Sequence, residues 1–203
     1  ILAQATWFKF RHLSAEIVRP RLAPTAEQQY SAMAAHVGPL ELSQPIGVGT
    51  NCWGDAGAET TEVFTAAMDA GINFIDTAEW YKGSEKAVGA AMRLDGRAAI
   101  IATKYVPMPW HWNFERHLLA HLDASLAKLG VESVDLLYIH MPIAARPLRA
   151  QAAALARAVK LGKCRAVGVS NFSEPEVRSI HAALAAHGVP LAANQIEFSL
   201  FRR

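Results

Sequence analysis

Short apolar runs alternate along this chain with longer segments in which apolar residues recur every three or four positions. The short runs are rich in β-forming residues and end abruptly in polar sequence, a pattern typical of buried strands that lead into loops. The longer segments have the periodicity of helices that pack on one face. Because the two patterns alternate at intervals of roughly 25 to 35 residues, the sequence predicts a parallel α/β fold wound in one direction.

About six strand–helix steps are predicted from residue 40 onward. Strands are expected at 46–50, 73–75, 98–104, 134–140, 164–169 and 192–198. Helices are expected at 59–70, 84–92, 113–129, 149–161 and 173–187. Ser84 and Asn113 are expected to cap the second and third helices, and Ser173 with Glu176 forms a capping box at the start of the fifth.

Polar side chains capable of chemistry stand where the predicted strands end. Asp76 follows the second strand, and Tyr81 lies in the loop just beyond it. Lys104 ends the third strand and His140 ends the fourth. In an α/β barrel the carboxyl ends of the strands carry the functional side chains, so these residues are expected to face one pocket. Each residue also has a purely structural alternative. Asp76 could cap a turn and Tyr81 could be a half-buried packing residue. Lys104 could extend to solvent, and His140 could be a core residue whose hydrogen bonds are satisfied.

Five short motifs occur in a fixed order: Gly-x-Gly-Thr at 47–50, Phe-Ile-Asp-Thr-Ala-x-x-Tyr at 74–81, Thr-Lys at 103–104, Leu-x-x-His-x-Pro at 137–142 and Gly-x-Ser-Asn at 168–171. In this combination the chain resembles the aldo-keto reductases over residues 40–203. The resemblance implies a TIM (β/α)8-type barrel, incomplete here with about six βα units. One departure is the link Lys82-Gly83-Ser84-Glu85, which is tighter than the Tyr-Gly-x-x-Ser-Glu usual in that family.

The resemblance implies an oxidoreductase that reduces an aldehyde or ketone to an alcohol with NAD(P)H, and it assigns catalytic roles to Asp76, Tyr81, Lys104 and His140. Tyr81 would donate the proton. The ordinary pKa of a phenol is near 10, so donation needs a cation that stabilises the phenolate. Lys104 would supply that cation, and Asp76 would hold Lys104 charged and oriented. His140 would direct the carbonyl oxygen by hydrogen bonding.

Cofactor and substrate contacts are also implied by the resemblance, which favours NADPH as the cofactor. The residues implied to border it are Thr50, Asp76, Ser170, Asn171 and Gln195. Ser170 and Asn171 would hold the nicotinamide carboxamide, which Gln195 also touches. Trp53 and Trp110 are expected to line the substrate pocket, with core or lid packing as the alternative.

Two other functions fit part of the sequence. One is a non-catalytic regulatory or interaction protein that keeps the reductase fold, as the potassium-channel β-subunit branch of the family does. The other is a barrel aldolase that forms a Schiff base at Lys104. The aldolase would not need Ser170, Asn171 and Gln195 together, whereas a nicotinamide-dependent reductase does.

Composition excludes several classes of function. A formal net charge of +2, with no basic stripe, argues against nucleic-acid binding. Cys52 and Cys164 lack C-x-x-C spacing and are interpreted as packing residues in a reducing compartment. The eight histidines have no H-E-x-x-H or similar spacing, so no metal site is predicted. No apolar run approaches the roughly 18 to 20 residues that a membrane crossing needs.

The sequence divides into an N-terminal extension, residues 1–38, and a partial reductase barrel, residues 39–203. The extension is Ala-rich and basic, as the remnant of an organelle transit peptide would be; translated upstream sequence or a plain helical extension explains it about as well. We expect a cytoplasmic protein, and the transit-peptide interpretation makes a plastid or other organelle the alternative. The oligomeric state stays open. A complete barrel needs about 250 residues. The chain is expected to be truncated after the sixth strand, which would leave the outer edges of the first and sixth strands unpaired.

Overall fold

The computed structural model describes residues 5–7, 35–142 and 147–199. Its strands are β1 (Ala5–Trp7), β2 (Ala35–Val37), β3 (Leu40–Leu42), β4 (Ile46–Gly49), β5 (Phe74–Asp76), β6 (Ile100–Tyr105), β7 (Val134–Ile139), β8 (Cys164–Ser170) and β9 (Leu191–Gln195). Its helices are α1 (Ala58–Asp69), α2 (Ser84–Asp95), α3 (Phe114–Leu129), α4 (Leu148–Lys160) and α5 (Glu174–Ala185). The strands and helices predicted from residue 40 onward are confirmed, with shifts only at their ends.

The main sheet has the order β1-β4-β5-β6-β7-β8-β9. From β4 to β9 every neighbouring pair of strands is parallel, and a helix follows each of the first five of these strands. This is the arrangement of an incomplete (β/α)8 barrel, as the sequence predicts. All six parallel strands carry their carboxyl ends at one rim, where the polar residues at the strand ends come together.

Successive side chains along β6 alternate between two apolar cores, because neighbouring residues of a strand point to opposite faces. On β6, Ile101 and Tyr105 belong to the larger core between the sheet and the helices. Ala102, between them, belongs to a smaller core on the concave face. Lys104 lies two residues after Ala102, so its side chain points to the same face of the sheet. Its charged side chain is therefore carried on the concave face of the barrel, next to the apolar core there.

A two-stranded hairpin, β2 with β3, supplies part of the concave core. Val37, Leu40 and Leu42 are buried there with residues of the main sheet. The turn fits closely: Gly38 has φ +58°, and a Cβ at this position would lie 2.6 Å from Cβ of Ala192. The hairpin spans the boundary that the sequence interpretation places at residue 38. The rest of the proposed extension, apart from β1, lies outside the described residues.

The prediction of an unpaired outer edge on the first barrel strand is wrong. β1 pairs with β4 in antiparallel register, from Ala5 opposite Val48 to Trp7 opposite Ile46. Three residues with no marked strand pattern form this pairing, because an exposed strand edge offers unpaired backbone groups to any extended segment that reaches it. From Ile46 to Val48, the outer edge of β4 is therefore paired with β1.

Two local predictions are also wrong. The N-cap of α2 is Gly83, with φ 75°, rather than Ser84. The turn requires glycine, since a Cβ at residue 83 would lie 2.4 Å from the carbonyl oxygen of Gly54. Cys164 is buried as expected, but Cys52 is exposed, because it lies in the loop after β4 and not in the core. Among the described helices, none has the length and apolarity that a bilayer crossing requires.

Candidate active site

Lys104 is the centre of the candidate site and is only 1% exposed. Its ammonium group donates to Asp76 Oδ2 at 2.7 Å, to the carbonyl oxygen of Thr77 at 2.9 Å and to the hydroxyl of Tyr81 at 3.3 Å. Asp76 Oδ1 is also 2.7 Å from the same nitrogen, so the carboxylate faces the ammonium with both oxygens. An ammonium has three N–H donors, and these contacts use all three. The ammonium group is therefore fixed in direction.

Tyr81 lies above this ion pair, between the buried lysine and solvent. Its ring centroid is 4.7 Å from Nζ of Lys104, within the range of a cation–π contact. The turn that carries Tyr81 is tied at both ends, by a backbone bond from its own N–H to the carbonyl oxygen of Ala78 and by one from Ser84 to its carbonyl oxygen. Because the hydroxyl oxygen accepts from Lys104, the hydroxyl hydrogen is available to another acceptor. Tyr81 can therefore act as a donor toward the open side of the site.

Asp76 is braced by Thr50, directly after β4, and by Gln195, at the end of β9. Its backbone carbonyl accepts from both the N–H and the hydroxyl of Thr50, each at 3.0 Å. Its Oδ2 also accepts from Nε2 of Gln195 at 3.1 Å. Behind it, Ser84 Oγ hydrogen-bonds to the hydroxyls of Thr50 and Thr77. Thr50 is fully buried, so in this structure its role is to hold the backbone of Asp76.

His140 completes the group and packs its ring edge-on against that of Tyr81, with ring centroids 5.6 Å apart and planes at 83°. Burial and the nearby charge of Lys104 lower its pKa to about 4, and Asp76 opposes part of this shift. Its Nδ1 atom is buried and has no hydrogen-bond partner among the described residues. A neutral imidazole keeps one N–H for donation, so His140 can donate a hydrogen bond at neutral pH without adding a second cation.

We expect an NMR titration of the imidazole resonances to give His140 a midpoint near pH 4, well below the ordinary 6.5. Since the unfolded chain binds more protons than the folded one between these values, His140 makes the free energy of unfolding rise with pH from about 4 to 6.5 and not beyond. A His140→Gln variant identifies the resonance and removes this part of the pH dependence. A midpoint near 6.5 would contradict the desolvated position of the ring.

Ser170, Asn171 and Gln195 lie at the carboxyl ends of the last two strands. Asn171 has φ 62°, a left-handed conformation that asparagine tolerates better than most residues. Its Nδ2 donates to the carbonyl oxygen of His140 at 3.2 Å and to Ser170 Oγ at 3.1 Å, and its backbone N–H donates to the carbonyl oxygen of Gln195 at 2.9 Å. The amide of Asn171 thus lies between the hydroxyl of Ser170 and the backbone of His140, while the amide of Gln195 bonds to Asp76.

The two tryptophans expected to line a substrate pocket lie in different surroundings. Trp53 is half-buried and packs against the core between sheet and helices. Trp110 is 61% exposed, and its ring edge contacts His111. A cleft of about 220 Å³ borders Tyr81 and Glu79. A larger groove of about 420 Å³ runs between α5 and β9 and is lined by none of the four candidate catalytic residues.

Several residues around the site were missed by sequence reasoning. The carbonyl of Thr77 and the hydroxyl of Ser84 carry no sequence signal, because their part depends on the path of the turn. The fold also brings three of the histidines together: His111, His117 and His121. The sequence signal for this cluster is that His117 and His121 are four residues apart on a predicted helix, which places them on one face.

Comparisons with known proteins give consistent results. A family model, Aldo/keto reductase family, matches residues 45–203. The chain is 32% identical over 189 residues to pyridoxal reductase, chloroplastic, of Arabidopsis thaliana, covering 81% of this chain and 51% of that protein. A structure of the glycerol dehydrogenase from Gluconobacter oxydans matches with a TM-score of 0.65 at 31% identity, covering 76% of this chain and 51% of that one. An aldo/keto reductase from Klebsiella pneumoniae in complex with NADP and acetate matches with a TM-score of 0.56 at 29% identity, covering 67% and 50%. The chain spans about half the length of the curated relatives it matches.

Proposed function

Because this chain belongs to the aldo/keto reductase family, we propose that its site reduces an aldehyde or ketone to an alcohol with NADPH, and that Tyr81 donates the proton. The observation that carries the proposal is the set of contacts around Lys104, whose ammonium bonds to both Asp76 and the hydroxyl of Tyr81. A buried cation at a phenol oxygen is the arrangement that proton donation by tyrosine needs.

Tyr81 is the group placed to transfer the proton. When the hydroxyl proton moves to the carbonyl oxygen, negative charge develops on the phenol oxygen, 3.3 Å from Nζ of Lys104. The ammonium is present before the reaction, held by Asp76 and by the carbonyl of Thr77, so little reorganisation is needed as charge develops. Lys104 and Asp76 are positioning groups in this account, and Tyr81 is the acid.

His140 orients the substrate. As a neutral donor beside the ring of Tyr81, it can hydrogen-bond to the same carbonyl oxygen that receives the proton. When bound, the reduced nicotinamide supplies the hydride for the carbonyl carbon. Hydride to carbon and proton to oxygen together convert the C=O bond to an alcohol. Proton return to Tyr81 from solvent restores the site, because that side chain is only partly buried.

The residues present fit a nicotinamide. Ser170 and Asn171 would hold its carboxamide, and Gln195 would contact the same group while it braces Asp76. The Klebsiella pneumoniae reductase, 29% identical to this chain, forms a complex with NADP, which supports the choice of cofactor. Pyridoxal reductase, named for an aldehyde, supports a small carbonyl compound as the substrate.

The contacts of Lys104 favour a reductase over a Schiff-base aldolase. Schiff-base formation needs a neutral amine with a lone pair directed at the substrate. Here the nitrogen donates to three acceptors and is paired with Asp76 beneath the phenol of Tyr81. Lys104 is therefore suited to hold a proton donor and not to attack a carbonyl.

Cofactor binding is testable without knowledge of the substrate. We expect NADPH to quench the tryptophan fluorescence of the 203-residue chain saturably. Ser170→Ala should weaken binding about two- to tenfold, the effect of one lost hydrogen bond. Ser179→Ala, on the exposed face of α5, is the matched control and should leave binding unchanged. A folded chain that shows no saturable response up to millimolar NADPH would contradict the proposed cofactor site.

A further inference from the structure

Three histidines form a cluster on the helix side of the sheet, close to the end of β6. His111 lies in the loop after β6, and His117 and His121 lie on α3. One ring nitrogen from each can be chosen so that all three atoms lie within 4.8 Å of one another. The rings of His111 and His117 stack with centroids 4.2 Å apart, and His121 lies 5.2 Å from His111.

The spacing on α3 presents two of these imidazoles on one helix face, since residues four apart are neighbours on a helix. Neutral imidazole is a common ligand for divalent transition metals, with metal–nitrogen distances of about 2.0–2.1 Å for zinc. Tetrahedral coordination at that distance places ligand nitrogens about 3.3 Å apart. The cluster therefore has to contract by about 1.5 Å at its widest, through rotation of its side chains, two of which are partly exposed.

Polar partners already orient two of the three rings. Glu79 Oε2 lies 2.6 Å from Nδ1 of His121. The hydroxyl of Tyr105 lies 2.6 Å from Nδ1 of His111, and the backbone N–H of Met108 donates to the same nitrogen at 3.4 Å. His111 would therefore offer Nε2 to an ion once its proton moves to Nδ1 and Nδ1 donates to Tyr105. A carboxylate that accepts from one ring nitrogen fixes the tautomer and leaves Nε2 of that ring as the metal-binding atom, the arrangement found behind ligating histidines in metal sites. Glu79 is itself held by the backbone N–H of Val106, so the orientation of His121 is built into the fold.

We propose that His111, His117 and His121 bind a divalent transition-metal ion of the zinc class, with Glu79 and Tyr105 as orienting partners. His111 is buried, while His117 and His121 are partly exposed, which gives the ion a route of entry and leaves a coordination position to water. The carboxylate of Glu79 offsets part of the ion's charge.

Binding of the ion would join the loop after β6 to α3. That loop carries Trp110, whose ring edge contacts His111. It begins directly after Tyr105, the neighbour of Lys104 on β6. The ion would therefore order a loop that starts two residues beyond the buried lysine, and this role does not depend on the proposed reductase activity.

The test is metal binding by the full chain in the absence of NADPH. We expect Co²⁺ to give the visible absorption bands of four-coordinate cobalt, and Zn²⁺ titrated in a calorimeter to bind with one ion per chain. His117→Ala should lower the Zn²⁺ affinity at least tenfold. Glu79→Gln should lower it about 10- to 100-fold, the usual effect of removing an orienting partner. His187→Ala, an exposed histidine remote in sequence from the cluster, is the matched control and should bind as the wild type does.

Circular dichroism and thermal unfolding without metal establish that each variant is folded. Two results would overturn the proposal: a folded wild-type chain that takes up no Zn²⁺ or Co²⁺ saturably, or uptake that His117→Ala leaves unchanged. Either would mean that the three rings form a packing cluster with Tyr105 and Phe114.

Discussion

Tyr81→Phe is expected to lower kcat/KM for aldehyde reduction by about 10² to 10⁴-fold, the usual contribution of a positioned general acid. The change removes one oxygen atom, which accepts a 3.3 Å hydrogen bond from Lys104. The ring and its contacts with Nζ of Lys104 and with His140 can remain. We therefore expect NADPH affinity and the unfolding midpoint to change little, so that the loss appears in the chemical step.

Tyr138→Phe is the matched control for this experiment. Tyr138 is fully buried on the concave face, and its hydroxyl has no hydrogen-bond partner among the described residues. Its removal should leave activity unchanged, and the fold should be as stable or more stable, because an unsatisfied buried hydroxyl is lost. Equal losses of activity in the two variants would contradict the assignment of the proton donor to Tyr81.

Breaking the Asp76–Lys104 pair should have the largest effect on stability. The two side chains are 6% and 1% exposed, so removal of either leaves the other charge buried without its partner. Lys104→Met and Asp76→Asn are each expected to lower the free energy of unfolding by about 3–5 kcal/mol. Urea unfolding followed by circular dichroism measures both. Activity should be lost in each variant as well, since the phenol of Tyr81 loses its oriented cation.

The double variant distinguishes loss of the Asp76–Lys104 interaction from independent destabilisation by each substitution. Asp76→Asn with Lys104→Met removes both charges together, and replacement of a buried ion pair by neutral groups is often close to neutral for stability. We expect the double variant to be clearly more stable than the sum of the single losses predicts. Strictly additive losses would mean that the two side chains do not interact as the structure shows.

The fold was predictable because its elements have strong local signals. The apolar strands and the one-sided helices differ in period, and Asn113 and the Ser173–Glu176 box mark helix starts that the structure confirms. The convergence of Asp76, Lys104 and His140 follows from the topology, since the carboxyl ends of parallel strands meet at one rim. The contacts of Lys104 with Asp76 and Tyr81 were implied by the family resemblance and not by the residue pattern alone, because they depend on side-chain direction and on the turn between β5 and α2.

The contacts that the sequence did not predict are set by the backbone conformation of loops and turns. Ser84 turns its hydroxyl toward Thr50 and Thr77 because Gly83 takes the left-handed cap position. The pairing of β1 with β4 joins segments about forty residues apart, and nothing in the short β1 sequence marks a strand. His111 reaches α3 only because the loop after β6 folds back, which composition and spacing do not encode.

Aldehyde reduction by the wild-type chain is the measurement that tests the proposed carbonyl reductase activity most directly. The full chain is mixed with NADPH and, in turn, with members of a panel of small aliphatic and aromatic aldehydes. Loss of NADPH is followed by its absorbance, and the alcohol is quantified chromatographically. The account predicts that at least one aldehyde yields one alcohol per NADPH consumed. If the folded chain binds NADPH but forms no alcohol from any member of the panel, the assignment of this site as a carbonyl reductase is contradicted.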